Sequence, residues 1–220
     1  MNKGVIKAIP KKVDILGRKY DVIFPYIFET GTTYAGMHDN CEMTIKLTNN
    51  INNTDIPIPF IHVVLMHEVM HGIVSILATN DTPEIPESVI DGFSLGLYQV
   101  IVDNNLYKGE IPKYLKIGGL TYEVTYPYGF VDENDVSVAI NNPCGKILLA
   151  DVGVMDYKLR RLTFGICSAV YYVYCGGRDF SDLKINLEEG IYSTIRDNNL
   201  DKLFIKYSYK GMKNASKKTR

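Results

Sequence analysis

The chain has 220 residues, of which 46% are hydrophobic and 22% are charged, and its formal net charge is −1 at pH 7. This composition is typical of a folded globular protein and excludes a disordered one. A nearly neutral charge gives no reason to expect nucleic acid as a partner. The chain also lacks the run of about 18 uninterrupted apolar residues that a membrane-spanning helix requires. We therefore expect neither a nucleic acid nor a membrane to be the main partner.

The predicted elements begin with a β-hairpin. Hydrophobic residues alternate with polar ones over 13–28, "VDILGRKYDVIFPYIF", on both sides of a glycine turn. A third strand, at the edge of the sheet, is predicted over 42–49, "EMTIKLTN". The opening segment "MNKGVIKAIPKKVDIL" lacks a long apolar core and predicts no secretory signal. The first elements therefore predict a short antiparallel sheet.

Two helices are predicted after this sheet. The apolar run "FIHVVLMHEVMHGIVSIL" predicts the first helix over 60–77, with Thr54 or Asp55 as its N-cap. The segment "TNDTPEIPE" contains two prolines and ends that helix. Thr82 is predicted to cap a second helix that ends near Asn104.

The second half of the chain repeats the first. Of the 18 residues from Ile9, "IPKKVDILGRKYDVIFPY", nine are identical to those from Ile111, "IPKYLKIGGLTYEVTYPY", where chance would give about one. Further along, "LYQVIVDNNL" from Leu97 matches "IYSTIRDNNL" from Ile191. Because the matching blocks occur in the same order, they predict a tandem duplication.

The predicted fold class is α+β, with two similar small domains. Each domain is a short antiparallel β-sheet, made of a hairpin and an edge strand, followed by two α-helices. The domains are predicted over 1–108 and 109–208, with a basic C-terminal tail over 209–220. In the second domain the helices are predicted over 156–174 and 181–199. We expect the two copies to contact each other within the chain, and an oligomer remains open.

The first predicted helix contains three of the four histidines of the chain. His67, Glu68 and His71 spell HEVMH, an HExxH motif. Residues four apart on a helix are separated by about 40° around its axis, so both imidazoles can reach one ion. Glu68 lies beside them and could take a proton from a water molecule activated by zinc. His62 is about 140° from His67 and is predicted to be a capping or packing residue. His38, in the loop "GMHDN", could approach the site, but a position at the surface is favoured.

A zinc site needs a third protein ligand, which leaves the fourth position for water. The second helix begins within "PEIPESVIDGFS", where Glu87 and Asp91 lie one turn apart on one face. Glu87 is predicted to bind the metal. Asp91 is predicted to accept a hydrogen bond from a ligating histidine and so to fix its tautomer. Glu84 and Asp81 remain alternative third ligands.

The run HEVMHGIV, followed by a short loop and ESVID, resembles the zincin metallopeptidases, and specifically the gluzincin pattern of HExxH with a downstream glutamate. Small phage- and prophage-encoded domains of this kind carry a similar run that ends in a GLYQV…DN segment. The resemblance covers most of the first copy and, without the ligands, the second. It implies a hairpin sheet over an active-site helix, with His67, His71 and Glu87 as metal ligands and Glu68 as general base.

The second copy lacks the residues of the HExxH motif. Arg160, Arg161 and Phe164 stand at the matching positions. Two arginines and a phenylalanine cannot hold zinc, because none of them offers a ligand atom that zinc prefers. We therefore expect a degenerate domain that serves as a packing surface, as a partner for the first copy, or as a substrate platform.

Two functions are consistent with these observations. The first is a zinc-dependent peptidase of a phage or mobile element, which would act on a protein or peptide substrate. The second is a non-catalytic phage structural or accessory protein in which Zn²⁺ clamps the two helices. Only the first requires Glu68. The four cysteines have no CxxC spacing, which predicts that they remain reduced thiols. We therefore expect the protein in the host cytoplasm, or in a virion if the chain is phage-encoded.

Overall fold

The computed structural model describes residues 7–29, 33–131, 136–176, 180–183 and 185–209. Within these ranges the protein has a mixed α+β fold with five α-helices and three small sheets. We call residues 7–108 the first half and residues 109–209 the second half. The first half contains, in chain order, β1 (Lys12–Ile15), β2 (Arg18–Ile23), β3 (Gly36–Asp39), β4 (Thr44–Leu47), β5 (Asn50–Ile51), β6 (Thr54–Asp55), α1 (Ile58–Leu77) and α2 (Glu87–Asn104).

The second half follows a similar order. It contains β7 (Tyr114–Ile117), β8 (Leu120–Thr125), β9 (Val138–Asn141), β10 (Lys146–Leu149), α3 (Met155–Tyr174), a 3₁₀ helix (Phe180–Leu183), α4 (Leu187–Asp197) and α5 (Leu200–Tyr207). The helices predicted over 60–77 and 156–174 are confirmed as α1 and α3. The single helix predicted over 181–199 is wrong, because α4 covers only its centre. Asn199, with a left-handed φ of 51°, separates α4 from α5.

Each half forms a four-stranded mixed sheet rather than the predicted three-stranded antiparallel one. The strand orders are β1-β2-β4-β3 and β7-β8-β10-β9. The pairs β1–β2 and β3–β4 are antiparallel, whereas β2 and β4 are parallel. β4 lies inside the sheet because Ile45 and Leu47 are fully buried. β3, "GMHD", was not predicted, because its side chains are only partly buried and do not alternate between polar and apolar.

The two four-stranded sheets have the same register. Lys12 pairs with Asp21 in the first half, and Tyr114, which lies 102 residues further along the chain, pairs with Glu123 in the second. The same shift relates the two parallel strand pairs and the two edge pairs. The two sheets therefore correspond residue by residue.

The helices of the first half begin at prolines rather than at the predicted caps. The N-cap of α1 is Pro57, and Thr54 and Asp55 form β6 instead. The N-cap of α2 is Pro86, whereas the hydroxyl of Thr82 accepts a hydrogen bond within the loop between the helices. Proline has a fixed φ and no N–H group, which makes a helix entry the position that tolerates it.

α1 packs inside a hydrophobic core that extends through both halves. Its residues Leu65, Met66, Val69 and Met70 are at most 1% exposed. By length and composition α1 could cross a membrane, but 56% of its most apolar window is buried inside the protein. Such burial is typical of the core helix of a globular protein.

The two halves hold each other through the same contact in both directions. The side chain of Asn198, at the end of α4, hydrogen-bonds both backbone groups of Asp14 in β1 at 2.7 Å. The side chain of Asn104, at the end of α2, does the same to Lys116 in β7, at 2.7 and 2.9 Å. Asn104 and Asn198 occupy matching positions of the repeated DNN segment. Through these two asparagines, the last residues of a helix in each half are hydrogen-bonded to the hairpin of the other half.

Candidate metal centre

α1 directs two imidazole rings toward one point. His67 and His71 are one helical turn apart, and their Nε2 atoms lie 3.0 Å from each other. Their ring planes are inclined at 69°, with ring centroids 4.7 Å apart. Burial, and secondly the neighbouring His67, lower the pKa of His71, which favours the neutral ring that binds metals.

α2 adds two carboxylates to the same place. Glu87 Oε1 lies 2.9 Å from His67 Nε2, and Glu87 Oε2 lies 3.5 Å from His71 Nε2. Asp91 Oδ1 lies 3.0 Å from Nδ1 of His67 on the other side of the ring. A hydrogen bond from Nδ1–H to Asp91 leaves Nε2 of His67 without a proton and free to bind a cation. Asp81 and Glu84, the alternative third ligands, do not join the group.

The three donor atoms are spaced as ligands of one ion would be. His67, His71 and Glu87 form the candidate metal-binding group within the described ranges, with their donor atoms all within 4.8 Å of one another. Ligand atoms about 2.0–2.1 Å from a tetrahedral zinc ion are about 3.4 Å apart. The Glu87 side chain is 63% exposed, so its ion pairs with histidine contribute little stability by themselves. The three donor atoms are close enough together to reach one cation.

Glu68 is buried beside this group, against the edge strand β3. A Cβ atom on Gly36 would clash with Oε1 of Glu68, so that glycine allows the close approach. Glu68 accepts a hydrogen bond from the backbone N–H of His38, which lowers its pKa. Burial, and secondly the charge of Glu87, outweigh that bond and raise the pKa of Glu68 to about 8. A nearby cation would lower this pKa again. Such a carboxyl group is suited to exchanging protons with water near neutral pH.

The group faces an open cleft of about 490 Å³. One wall consists of α1 and Glu87, and the other includes Tyr34, Gly36 and His38. Tyr34 also lines a neighbouring pocket of about 480 Å³, together with Tyr26 and other residues. Tyr34 therefore lies between the cleft and this second pocket.

The strand β3, which forms one wall of the cleft, was not predicted as a strand from the sequence. His38 was predicted to lie at the surface, but it is half-buried in the cleft, with its ring 5.0 Å from that of Tyr20. Its Nε2 atom is buried and lacks a hydrogen-bond partner among the described residues. Burial, and secondly the nearby His71, lower the pKa of His38. The only sequence signal was a lone glycine two residues before a histidine, which does not indicate a strand.

His62 lies away from the site, and the prediction that it is a packing residue is confirmed. It is fully buried, and its Nε2 donates a hydrogen bond to the carbonyl of Ala8 at 2.8 Å. Its ring packs 4.9 Å from that of Phe204 in α5. Burial lowers the pKa of His62 to about 4, whereas the hydrogen bond to Ala8 raises it. His62 therefore joins α1 to the N-terminal segment and to α5.

We expect His62 to make the protein less stable in acid. The pKa of His62 is about 4 in the folded protein and 6.5 in an ordinary histidine. Between pH 4 and 6.5 the protein therefore takes up a proton at His62 when it unfolds. The stability that neutral His62 contributes is complete above pH 6.5 and is lost as the pH falls toward 4. At pH 5 the loss is about 2 kcal/mol. The free energy of unfolding should be measured by chemical denaturation at pH 7 and pH 5, with a chelator present throughout. It should fall less between these pH values for His62→Phe than for the natural chain, and equal decreases would contradict the prediction.

The matching region of the second half has no metal-binding group in the described residues. Arg160 pairs with Glu189 of α4 and with Asp156, the latter at 3.2 Å. Arg161 lies over the ring of Phe164 at 5.2 Å. An ion pair therefore links α3 to α4 where the first half presents its three candidate ligands.

A larger cleft of about 1050 Å³ also lies in the second half. It is lined by aromatic and small residues, including Tyr128, Phe130 and Tyr157. Its acidic residue, Asp151, is paired with Lys158. Because its lining contains neither histidine nor cysteine, it does not offer the chemistry of the first cleft.

No protein-family model, no curated protein and no solved structure matches this chain.

Proposed function

We propose that the protein is a zinc-dependent peptidase in which His67, His71 and Glu87 bind the metal and Glu68 is the general base. The observation that carries this proposal is the convergence of three ligand atoms within 4.8 Å of one another in an open cleft, beside a buried carboxyl group. Catalytic zinc has three protein ligands and an open position, whereas structural zinc is closed by four protein ligands. The three-ligand group supports catalysis over the alternative of a structural zinc clamp.

Each residue of the site has a separate task in this reaction. Bound zinc would supply a Lewis acid that polarises a peptide carbonyl and acidifies a water molecule. Glu68 takes the proton of the attacking water and passes it to the leaving amine. The backbone N–H of His38 holds the carboxyl group of Glu68 in place. Asp91 orients His67 through Nδ1, so that Nε2 faces the site.

The substrate is a protein or peptide in an extended conformation. The cleft at the metal site shares the lining residue Tyr34 with a second pocket that also contains Tyr26 and Phe28. A peptide lying across Tyr34 would place several of its residues on one side of the scissile bond. All four cysteines are free thiols, which supports a reducing compartment such as the host cytoplasm. Origin in a phage or mobile element rests on the zincin resemblance alone.

We also infer that the chain is a tandem duplication of one small zincin-like domain, with copies over 1–108 and 109–208. The equal register of the two sheets and the reciprocal contacts of the repeated asparagines support this inference. The second copy is then a degenerate domain without metal ligands. The remaining segment, 209–220, is the predicted basic tail, of which residues 210–220 lie outside the described ranges.

Metal removal tests the proposed function directly. The purified protein should contain about one zinc ion per chain and should cleave a fluorescently labelled unfolded protein. Dialysis against a chelator should abolish cleavage, and zinc should restore it. Magnesium should not, because that ion prefers oxygen ligands to imidazole. Cleavage that survives complete removal of zinc would overturn the proposal.

We expect Asp91→Ala to weaken zinc binding by about 10–100-fold, because His67 loses the hydrogen bond that fixes its tautomer and orientation. Competition with a chromophoric chelator would measure the zinc Kd. Asp81→Ala and Glu84→Ala are matched controls that remove exposed acids from the neighbouring loop. A control that weakens zinc binding as much as Asp91→Ala would contradict the assignment of Asp91.

A further inference from the structure

The helix that supplies Glu87 and Asp91 lies between the two halves. One face of α2 packs against α1, which carries the two histidines, and another face packs against α3 of the second half. The metal site therefore needs α2 to be placed correctly relative to both helices. α1 and α2 belong to the same half, whereas α3 belongs to the half without ligands.

Two glycines allow α2 and α3 to approach closely. A Cβ atom at Gly92 would lie 2.6 Å from Sγ of Cys175 and 3.2 Å from the carbonyl oxygen of Tyr174. A Cβ atom at Gly96, one turn further, would lie 2.6 Å from Cγ1 of Val170. These distances are shorter than ordinary van der Waals contacts, so a side chain at either position requires the facing side chains, or the helices themselves, to shift.

Other contacts hold the same pair of helices together. The Phe93 ring stacks on the ring of Tyr171, with centroids 6.0 Å apart. The hydroxyl of Tyr174 donates a hydrogen bond to Gln99. At the far end of α2, Asn104 is fixed to the backbone of Lys116 in β7. Contacts with the second half thus extend from Gly92, which follows Asp91 directly, to the end of the helix.

We propose that the second half is a positioning element for the metal site, and that the close approach of α2 to the end of α3, which Gly92 allows, sets the place of Glu87 and Asp91 opposite the histidines. This inference rests on the proposed zinc site but not on its catalytic activity. It gives the half without ligands a specific task, because α3 serves as the support against which the ligand helix is placed. A shift of α2 away from α3 changes the separations that now lie between 2.9 and 3.5 Å.

The test is to enlarge Gly92 and then to remove the atom that it meets. Gly92→Ala should weaken zinc binding by about tenfold, comparable to loss of an outer partner of a ligand. It should also alter the visible absorption spectrum of the cobalt-substituted protein, which reports ligand geometry. The double variant Gly92→Ala/Cys175→Ala lacks the thiol and should return the zinc Kd and the cobalt spectrum close to those of the natural chain. Cys175→Ala alone should leave both unchanged.

Gly165→Ala is the matched control. Its added methyl group would meet Cγ2 of Ile147 at 2.9 Å, which crowds the core of the second half without touching α2. We expect it to lower the melting temperature and to leave the zinc Kd unchanged. If Gly165→Ala weakens zinc binding as much as Gly92→Ala, or if removal of the thiol gives no rescue, the proposal is overturned.

A second pair of variants covers the case in which Gly92→Ala does not fold. The methyl group of Gly96→Ala would meet only side-chain atoms, those of Val170 and Tyr174, so α2 can adjust more easily. We expect a smaller loss of zinc affinity, about threefold, with rescue by Val170→Ala. Unchanged zinc binding in a folded Gly96→Ala protein would overturn the proposal.

A natural chain that binds zinc but does not hydrolyse peptides would contradict the proposed function and leave this inference standing. A natural chain that binds no zinc would contradict both.

Discussion

Glu68→Gln is expected to leave zinc bound and to reduce peptide hydrolysis by about 10²–10⁴-fold. A glutamine amide cannot take a proton from water at neutral pH, so the attacking water loses its base. The metal ligands are untouched, because Glu68 lies beside His67, His71 and Glu87 and is not a member of the group. The rate of cleavage and the zinc content should be measured on the same preparations.

The substitution should not disturb the fold. Glutamine has the shape of glutamate, and its oxygen can still accept the hydrogen bond from the backbone N–H of His38. Gly36 leaves room for the side chain against β3. In addition, burial raises the pKa of the Glu68 carboxyl group to about 8, which favours its uncharged form. Replacing it with a neutral amide therefore removes no buried charge on which the fold depends.

Glu84→Gln provides the control for this experiment. Glu84 is exposed in the loop between α1 and α2, and its change should alter neither cleavage nor zinc content. A fully active Glu68→Gln protein would refute the catalytic role of Glu68. A zinc-bound natural protein without any hydrolytic activity would instead favour the non-catalytic alternative, in which zinc clamps the two helices.

His71→Ala is expected to weaken zinc binding by more than about 100-fold, because loss of a direct ligand exceeds the effect of losing its outer partner. Only His67 and Glu87 would remain, and two ligands do not complete a zinc site. Hydrolysis should fall below detection at zinc concentrations that saturate the natural protein. Isothermal titration with zinc gives the affinity directly.

Unfolding measurements provide a second readout for His71→Ala. Zinc at about 100 times its Kd should stabilise the natural protein by about 2.7 kcal/mol, and the same concentration should not stabilise the variant. His38→Phe is the matched control, since it changes another histidine of the cleft while keeping an aromatic ring beside Tyr20. If His38→Phe abolishes zinc binding and His71→Ala does not, the proposed ligand set is wrong.

The local pattern of the sequence determined much of this protein. The apolar run over 60–77 predicted α1 to within two residues at its start, because helical periodicity depends on neighbours along the chain. The spacing of His67, Glu68 and His71 predicted their common location for the same reason. The hairpin β1–β2 was predicted from alternation around a glycine turn, and Gly17 has the required positive φ of 84°.

The sequence favoured Glu87 as the third ligand, but only the tertiary structure shows which acid lies beside the histidines. Glu87, Glu84 and Asp81 were all candidates, since each lies a short distance along the chain from α1. The packing angle of α2 against α1 brings Glu87 to His67 and leaves the two loop acids outside the group. Such an angle depends on how side chains of different segments interdigitate, which local periodicity does not describe.

Long-range pairing also decided the remaining parts of the cleft. β3 forms only because β4 offers it a partner, and it places Gly36 and His38 against Glu68. The repeated DNN segments were visible as a match, but their task, to hold the hairpin of the opposite half, depends on contacts between residues up to 184 positions apart. Helices and turns are set by neighbouring residues, whereas an edge strand or a buttressing helix is set by whichever distant surface it covers.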